Sequence, residues 1–170
     1  MASNDGPIRA EHEQLVRDHY VPIYRFLRNM ARRNEDAEDL AQQTFLRAIA
    51  AWARFDERVP VRSWLYAIAY NEFCKWRRRH LWLPLSVDRV APGNSFSQVD
   101  DSELLLDALA KLGQEVRATF LLHHVEDLSI IEISTLMKIP EGTVKSRLHA
   151  ARSRLKDLIQ EAETYVPEPV

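Results

Sequence analysis

The segment 128–148, LSIIEISTLMKIPEGTVKSRL, constrains this chain more than any other. Apolar residues recur at helical spacing on both sides of a Pro-x-Gly break, so the segment reads as two short amphipathic helices joined by a tight turn. Ser129 can cap the first helix, and Glu132 three residues later completes a capping box. Ile130, Ile133, Leu136 and Met137 then share one face. After Pro140 and Gly142 a second stripe runs through Val144, Leu148, Ala151, Leu155 and Leu158, interleaved with Lys145, Ser146, Arg147, His149, Arg152, Arg154 and Lys156. Small hydroxyl residues among bases at the start of a helix let its backbone come close to base edges and phosphates. The pattern is that of a helix-turn-helix reader of the DNA major groove. The plainer alternative, a helical hairpin with a solvated basic face, leaves those hydroxyls unexplained.

At 170 residues the chain can form one ordinary domain or two small ones. Its hydrophobic fraction of 46% with only 4 glycines favours helix throughout, and no strand pattern of any length is present, so the expected fold class is all-α. No apolar run reaches the ~18 residues of a membrane span. The polar stretch before residue 13 carries no secretion-signal core, and Cys74 is the sole cysteine, which together lead us to expect a cytoplasmic protein with no membrane insertion. The net charge of −2 hides a patterned distribution. Bases gather at 75–80 and again at 145–156, and acids gather at 35–39 and 100–103. Such a chain is suited to touch DNA and something else, with weak nonspecific DNA affinity on its own.

Residues 83–102, with Pro84, Pro92, Gly93, Asn94 and four serines, show no period and read as a linker. They separate expected domains at 8–82 and 103–162 that can move relative to each other. In the first, residues 11–32 carry Leu15, Val16, Tyr20, Ile23, Tyr24, Leu27 and Met30 on one side, and Pro22 predicts two helices or a kink at Tyr20–Val21. Asn34 is expected to cap the next helix, whose first turn holds Glu35, Asp36, Glu38 and Asp39, favourable to the helix dipole. Leu40, Phe45, Ala48, Ile49 and Trp52 supply its buried stripe. A loop at 54–60 leads to a third helix at 61–79, and the second domain is expected to hold helices near 103–112, 115–126, 129–138 and 142–160.

Three motifs, DAEDLAQQTFLRA at 36–48, RSWLYAIAYN at 62–71 and GTVKSRLH at 142–149, resemble the extracytoplasmic function class of bacterial RNA polymerase sigma factors, in order and spacing and over nearly the whole chain. The resemblance implies a sigma-2-like helical bundle and a sigma-4-like helix-turn-helix domain, with no catalytic activity and no cofactor. It implies that Asp36, Glu38, Asp39, Gln42, Gln43 and Phe45 dock on the β′ clamp helices of core RNA polymerase, with the β flap as a further contact. It places Phe55, Arg58, Trp64, Asn71, Lys75, Arg78 and Arg79 at the melted −10 promoter element. Extruded bases need aromatic faces and polar edges, which fits that set. Asn71 within an apolar helix is hard to explain as packing, because a buried amide needs partners. Thr143, Lys145, Ser146, Arg147, His149 and Arg152 are assigned to duplex −35 DNA. An anti-sigma factor is the further implied partner.

Two departures from the family pattern stand out. Lys138 occupies a turn position where members often carry glycine, so it must accept a positive φ or the turn must change shape. Ala150 stands where many members carry a DNA-contacting arginine. No metal site is expected: His123 and His124 are adjacent, and neighbouring helical side chains diverge by about 100°. Cys74 beside Phe73 is expected to be a buried inert thiol.

The competing reading is a stand-alone helix-turn-helix regulator that binds duplex DNA as a dimer. It has no use for an aromatic loop and helix suited to flipped bases, and no heptad zipper is present for dimerisation. A nucleic-acid enzyme is a third reading, for which the sequence offers no metal-carboxylate cluster, phosphate-binding glycine loop or paired nucleophile and base.

Overall fold

The computed structural model describes residues 5–31, 33–81 and 108–164, and every regular element among them is helical. In chain order these are α1 (Asp5–Ala31), α2 (Asn34–Ala51), a single 3-10 turn (Trp52–Arg54), α3 (Val61–Leu81), α4 (Gln114–His124), α5 (Ile130–Met137) and α6 (Glu141–Thr164). The linker expected at 83–102 and the first half of the helix expected at 103–112 lie outside the described residues; 108–110 are helical.

The first three helices pack together around Ile23, Phe26, Leu27, Met30, Leu65, Tyr66 and Phe73, all 1% exposed or less. The break expected at Pro22 does not occur, because α1 runs through it. A proline inside a helix costs about 3 kcal/mol or more. The four large side chains that α1 buries just beyond it each return about 1.5–3 kcal/mol, so packing overrides the local preference. Asn34 is not the cap of α2. Arg33 takes that position without a side-chain bond, and the Asn34 amide oxygen instead accepts from Arg28 Nε. Acids at Glu35 and Asp36 still occupy the first turn of α2, as the dipole favours.

The second half is built as its sequence indicates. Ser129 Oγ accepts from the Glu132 N–H at 3.2 Å, and Glu132 Oε2 accepts from the Ser129 N–H at 2.8 Å, which completes the capping box. Ile133, Leu136, Val144, Leu148, Ala151, Leu155 and Leu158 are buried. Lys138 adopts φ 57° and ψ 46° and closes α5 in the left-handed conformation usually left to glycine. His123 Nδ1 donates to the Leu128 carbonyl at 2.8 Å and ties the end of α4 to the turn before α5. The expected divergence of His123 and His124 is not seen, since their rings meet edge to face at 4.8 Å.

The halves touch through polar groups. Arg77 Nη1 donates to Gln114 Oε1 at 2.6 Å. The Tyr66 hydroxyl donates to Glu126 Oε2, with Arg62 Nη2 4.0 Å from the same oxygen. The Ser63 hydroxyl donates to Glu132 Oε1, the oxygen that the capping box leaves open. Burial raises the Glu126 carboxyl above its ordinary range, against the opposing pull of Tyr66, Arg62 and Arg25. Glu132 moves the other way, held down first by the Ser63 hydroxyl and then by the Ser129 N–H.

Candidate polymerase and nucleic-acid interfaces

Helix α2 turns Ala37, Leu40, Ala41, Thr44, Phe45 and Ala48 inward. Its outer face therefore presents Glu38, Asp39, Gln42 and Gln43, with Asp36 half-buried at the edge. Phe45 belongs to the core: it is 4% exposed and its ring lies 5.9 Å from that of Tyr20. The next residue, Leu46, is 60% exposed on a face otherwise made of acids and amides. Sequence reasoning passed over it because it placed the aromatic, rather than its neighbour, on the contact face.

Beyond α2 the chain turns at Trp52–Arg54 and stacks its aromatic residues. Trp52 and Phe55 lie 5.4 Å apart at 12°, Phe55 and Trp64 lie 4.7 Å apart, and Trp52 and Trp64 lie 6.0 Å apart. Trp52 Nε1 donates to Glu11 Oε2 at 3.2 Å, so α1 fixes the back of this cluster. Trp64 is half-buried and also lines an open groove of about 350 Å³ together with Arg47, Arg54, Asn71, Glu72 and Lys75. Asn71 is exposed in that groove, so its amide needs no buried partner. Arg78 and Arg79 are exposed in the last turn of α3, where cations suit the negative helix end. Arg58 does not reach the groove. Its guanidinium donates to Asp56 at 2.8 and 2.9 Å and lowers the Asp56 carboxyl pKa below its ordinary range.

On α6, Lys145, Ser146, His149 and Arg152 are exposed on one side, with Thr143 half-buried at the start. Ser146 Oγ donates to the Thr143 carbonyl at 3.0 Å, and Arg152 Nε donates to the Leu148 carbonyl at 3.3 Å. Arg147 differs from its neighbours: its side chain is 18% exposed and its guanidinium pairs with Glu115 of α4. Ala150 is exposed, so a longer side chain there would meet solvent. Among the described residues no group of three or more His, Cys, Asp or Glu side chains is placed to hold a metal ion. Cys74 is half-buried, more accessible than expected.

The family described as Sigma-70 region 2 matches residues 15–83, and that described as Sigma-70 region 4 matches residues 102–155. The chain is 30% identical over 154 residues to the RNA polymerase sigma factor YlaC of Bacillus subtilis, covering 85% of this chain and 89% of that protein. It is 34% identical over 143 residues to the ECF RNA polymerase sigma factor SigM of the same organism, covering 80% of this chain and 87% of that one. The chain belongs to the ECF sigma factors. As such it is a transcription initiation factor that directs RNA polymerase to promoters. The sigma factor fold is also that of RpoE in its co-crystal structure with the anti-sigma factor NepR from Bartonella quintana, at TM-score 0.76 and 24% identity, over 88% of this chain and 97% of that one.

In this sigma factor three charged groove residues, Arg47, Arg54 and Glu72, lie outside the set that the sequence pointed to. Arg47 comes from α2 and Glu72 from α3, and only the packing of those helices brings them together. Glu72 is 3% exposed, a buried acid in a helix otherwise rich in apolar and basic residues.

Proposed function

We propose that this sigma factor divides promoter opening among three surfaces. The outer face of α2, with Asp36, Glu38, Asp39, Gln42, Gln43 and the newly recognised Leu46, docks on the β′ clamp helices of core polymerase. The aromatic cluster and the adjoining groove take the extruded strand of the −10 element, and the exposed side of α6 reads the −35 element as duplex while the β flap holds the second half. Domains at 8–82 and 103–162, joined by a linker at 83–102, span the distance between the two elements. The protein works by binding, without chemistry of its own, in the cytoplasm. No helix among the described residues is long and apolar enough to cross a membrane. An anti-sigma factor restrains it; the structural neighbour RpoE is in complex with the anti-sigma factor NepR.

The observation that carries this reading is the junction of stacked Trp52, Phe55 and Trp64 with a groove flanked by Arg47, Arg54 and Lys75. Aromatic faces receive bases and the cations track the backbone, which is what single-strand binding requires. The decisive experiment is transcription with purified core polymerase, followed by start-site mapping and permanganate footprinting of the melted region. Asp39→Arg is expected to weaken core binding about tenfold or more, about 1.4 kcal/mol. Its effect on folding should stay near 0.3–1 kcal/mol, the worth of an exposed acid close to a helix start. Unchanged core affinity sinks the docking assignment. Tight, site-specific duplex binding without polymerase would instead identify a stand-alone regulator.

A further inference from the structure

Glu72 lies beneath the groove with its side chain 4% exposed, and a single oxygen, Oε1, receives both Arg47 Nε at 2.6 Å and Lys75 Nζ at 2.8 Å. The cations come from different helices, Arg47 from α2 and Lys75 one turn further along α3. Their side chains remain 54% and 42% exposed, so each can meet a ligand from above while bonded from below. A buried ion pair is weak grounds for stability, because a well-packed apolar residue in the same place does as well or better. Its value here is geometric. Two cations side by side repel and splay into solvent unless an anion holds them together.

We propose that Glu72 is a positioning residue for the single-strand groove, clasping Arg47 and Lys75 side by side so that both meet one backbone phosphate of the strand. The proposal rests on the −10 reading of the groove. The clasp removes the cost of gathering two flexible cations at the moment of binding, as preorganisation does in general.

The test uses holoenzyme and a labelled single-stranded oligonucleotide that carries the melted strand of a promoter mapped with wild type, titrated across salt. A single-strand phosphate contact contributes a slope of about 0.7 in log affinity against log salt. Glu72→Gln is expected to weaken binding about tenfold and to reduce the slope by about 0.7, with the thermal melting temperature recorded for each variant. The Arg47→Gln/Lys75→Gln double is expected to lose about 0.7 as well, since the two serve one phosphate. Adding Glu72→Gln to that double should change affinity less than about twofold, because Glu72 acts only through the pair. Wild-type affinity and slope in Glu72→Gln overturn the proposal, as does a further tenfold loss in the triple variant. Should Glu72→Gln not fold, the double decides alone, and a loss of about 1.4 would mean two independent phosphates and no clasp. Wild-type holoenzyme that ignores the oligonucleotide overturns the groove reading itself, and the clasp with it.

Discussion

The groove between α2 and α3 and the outward side of α6, the two surfaces proposed to meet nucleic acid, are built in opposite ways. In the groove and the aromatic cluster beside it several groups are braced: Trp52 by Glu11, Phe55 by two tryptophans, Arg47 and Lys75 by Glu72. On α6 only Arg147 is braced from another helix, by Glu115, while Lys145 and His149 stand exposed. On the proposed assignment, the difference follows from the ligand. A duplex brings its own shape, and side chains on a rigid helix adapt to its edges. A melted strand has no shape, so the protein must supply it with fixed faces and fixed cations.

The largest expected effect tests the braced side. Phe55→Ala removes a stacking face worth about 1–3 kcal/mol per base. Permanganate reactivity of the melted region should fall by one to two orders of magnitude while core affinity holds. If melting is unchanged, the aromatic cluster is only structural and the contrast collapses.

On the unbraced side, Lys145→Ala should cost about 1–3 kcal/mol concentrated at one base position. Arg152→Ala, at an exposed base on the same side, should weaken all sequences alike and lower the salt slope by about one. Selection from a randomised −35 library reads both, with Ala150→Arg included, which should strengthen binding if it restores a phosphate or base contact. Identical enrichment by wild type, Lys145→Ala and Ala150→Arg would show that α6 does not read through these positions.

Smaller effects come from the glutamates that join the halves. Glu126 has a folded-state pKa raised by burial, so the folded protein holds its proton more tightly. Its contribution is full below the ordinary carboxylate value near 4.3 and fades as pH rises through the raised one. Glu132 has a lowered folded-state pKa, so its contribution is present above the ordinary value and is lost as pH falls through the lowered one. Denaturant midpoints followed from acid to neutral pH should therefore favour Glu126→Gln over wild type increasingly as pH rises. Glu132→Gln should show its deficit at neutral pH and narrow it toward acid. Parallel curves for both variants would mean that neither carboxylate titrates differently on folding.

The smallest effect is local. Lys138 holds a left-handed conformation on an exposed position. Lys138→Gly should relieve it and raise stability by about 1 kcal/mol, seen as a higher melting temperature. A drop instead would mean that the lysine makes an interaction that outweighs its backbone strain.

What could be read from sequence divides along the same line as the two surfaces. The helix-turn-helix was legible because its cap, turn and stripe are local: Ser129 and Glu132 are three residues apart, and Lys138, left open between a positive φ and a reshaped turn, takes the first. The groove was half legible. Trp64, Asn71 and Lys75 were found, but Arg47 and Glu72 sit 25 residues apart and meet only when α2 packs on α3, a pairing no spacing rule reveals. Phe45 was assigned to the surface although the buried stripe already claimed it, and the stripe prevailed. Asn71 was set apart from the core because packing explained its amide poorly, and it lies on the turn of α3 that faces the groove. Pro22 and Asn34 misled for one reason: local rules set α1's break and α2's cap, and tertiary contacts outbid both.

The two oxygens of Glu132 do separate jobs: one closes the first turn of its own helix and the other receives Ser63 from the opposite half. Parting the halves therefore unplugs a single hydrogen bond at this point and leaves the first turn of α5 fastened. The capping box of α5 takes nothing from the opposite half, so that turn is closed by its own residues whether or not Ser63 is in place.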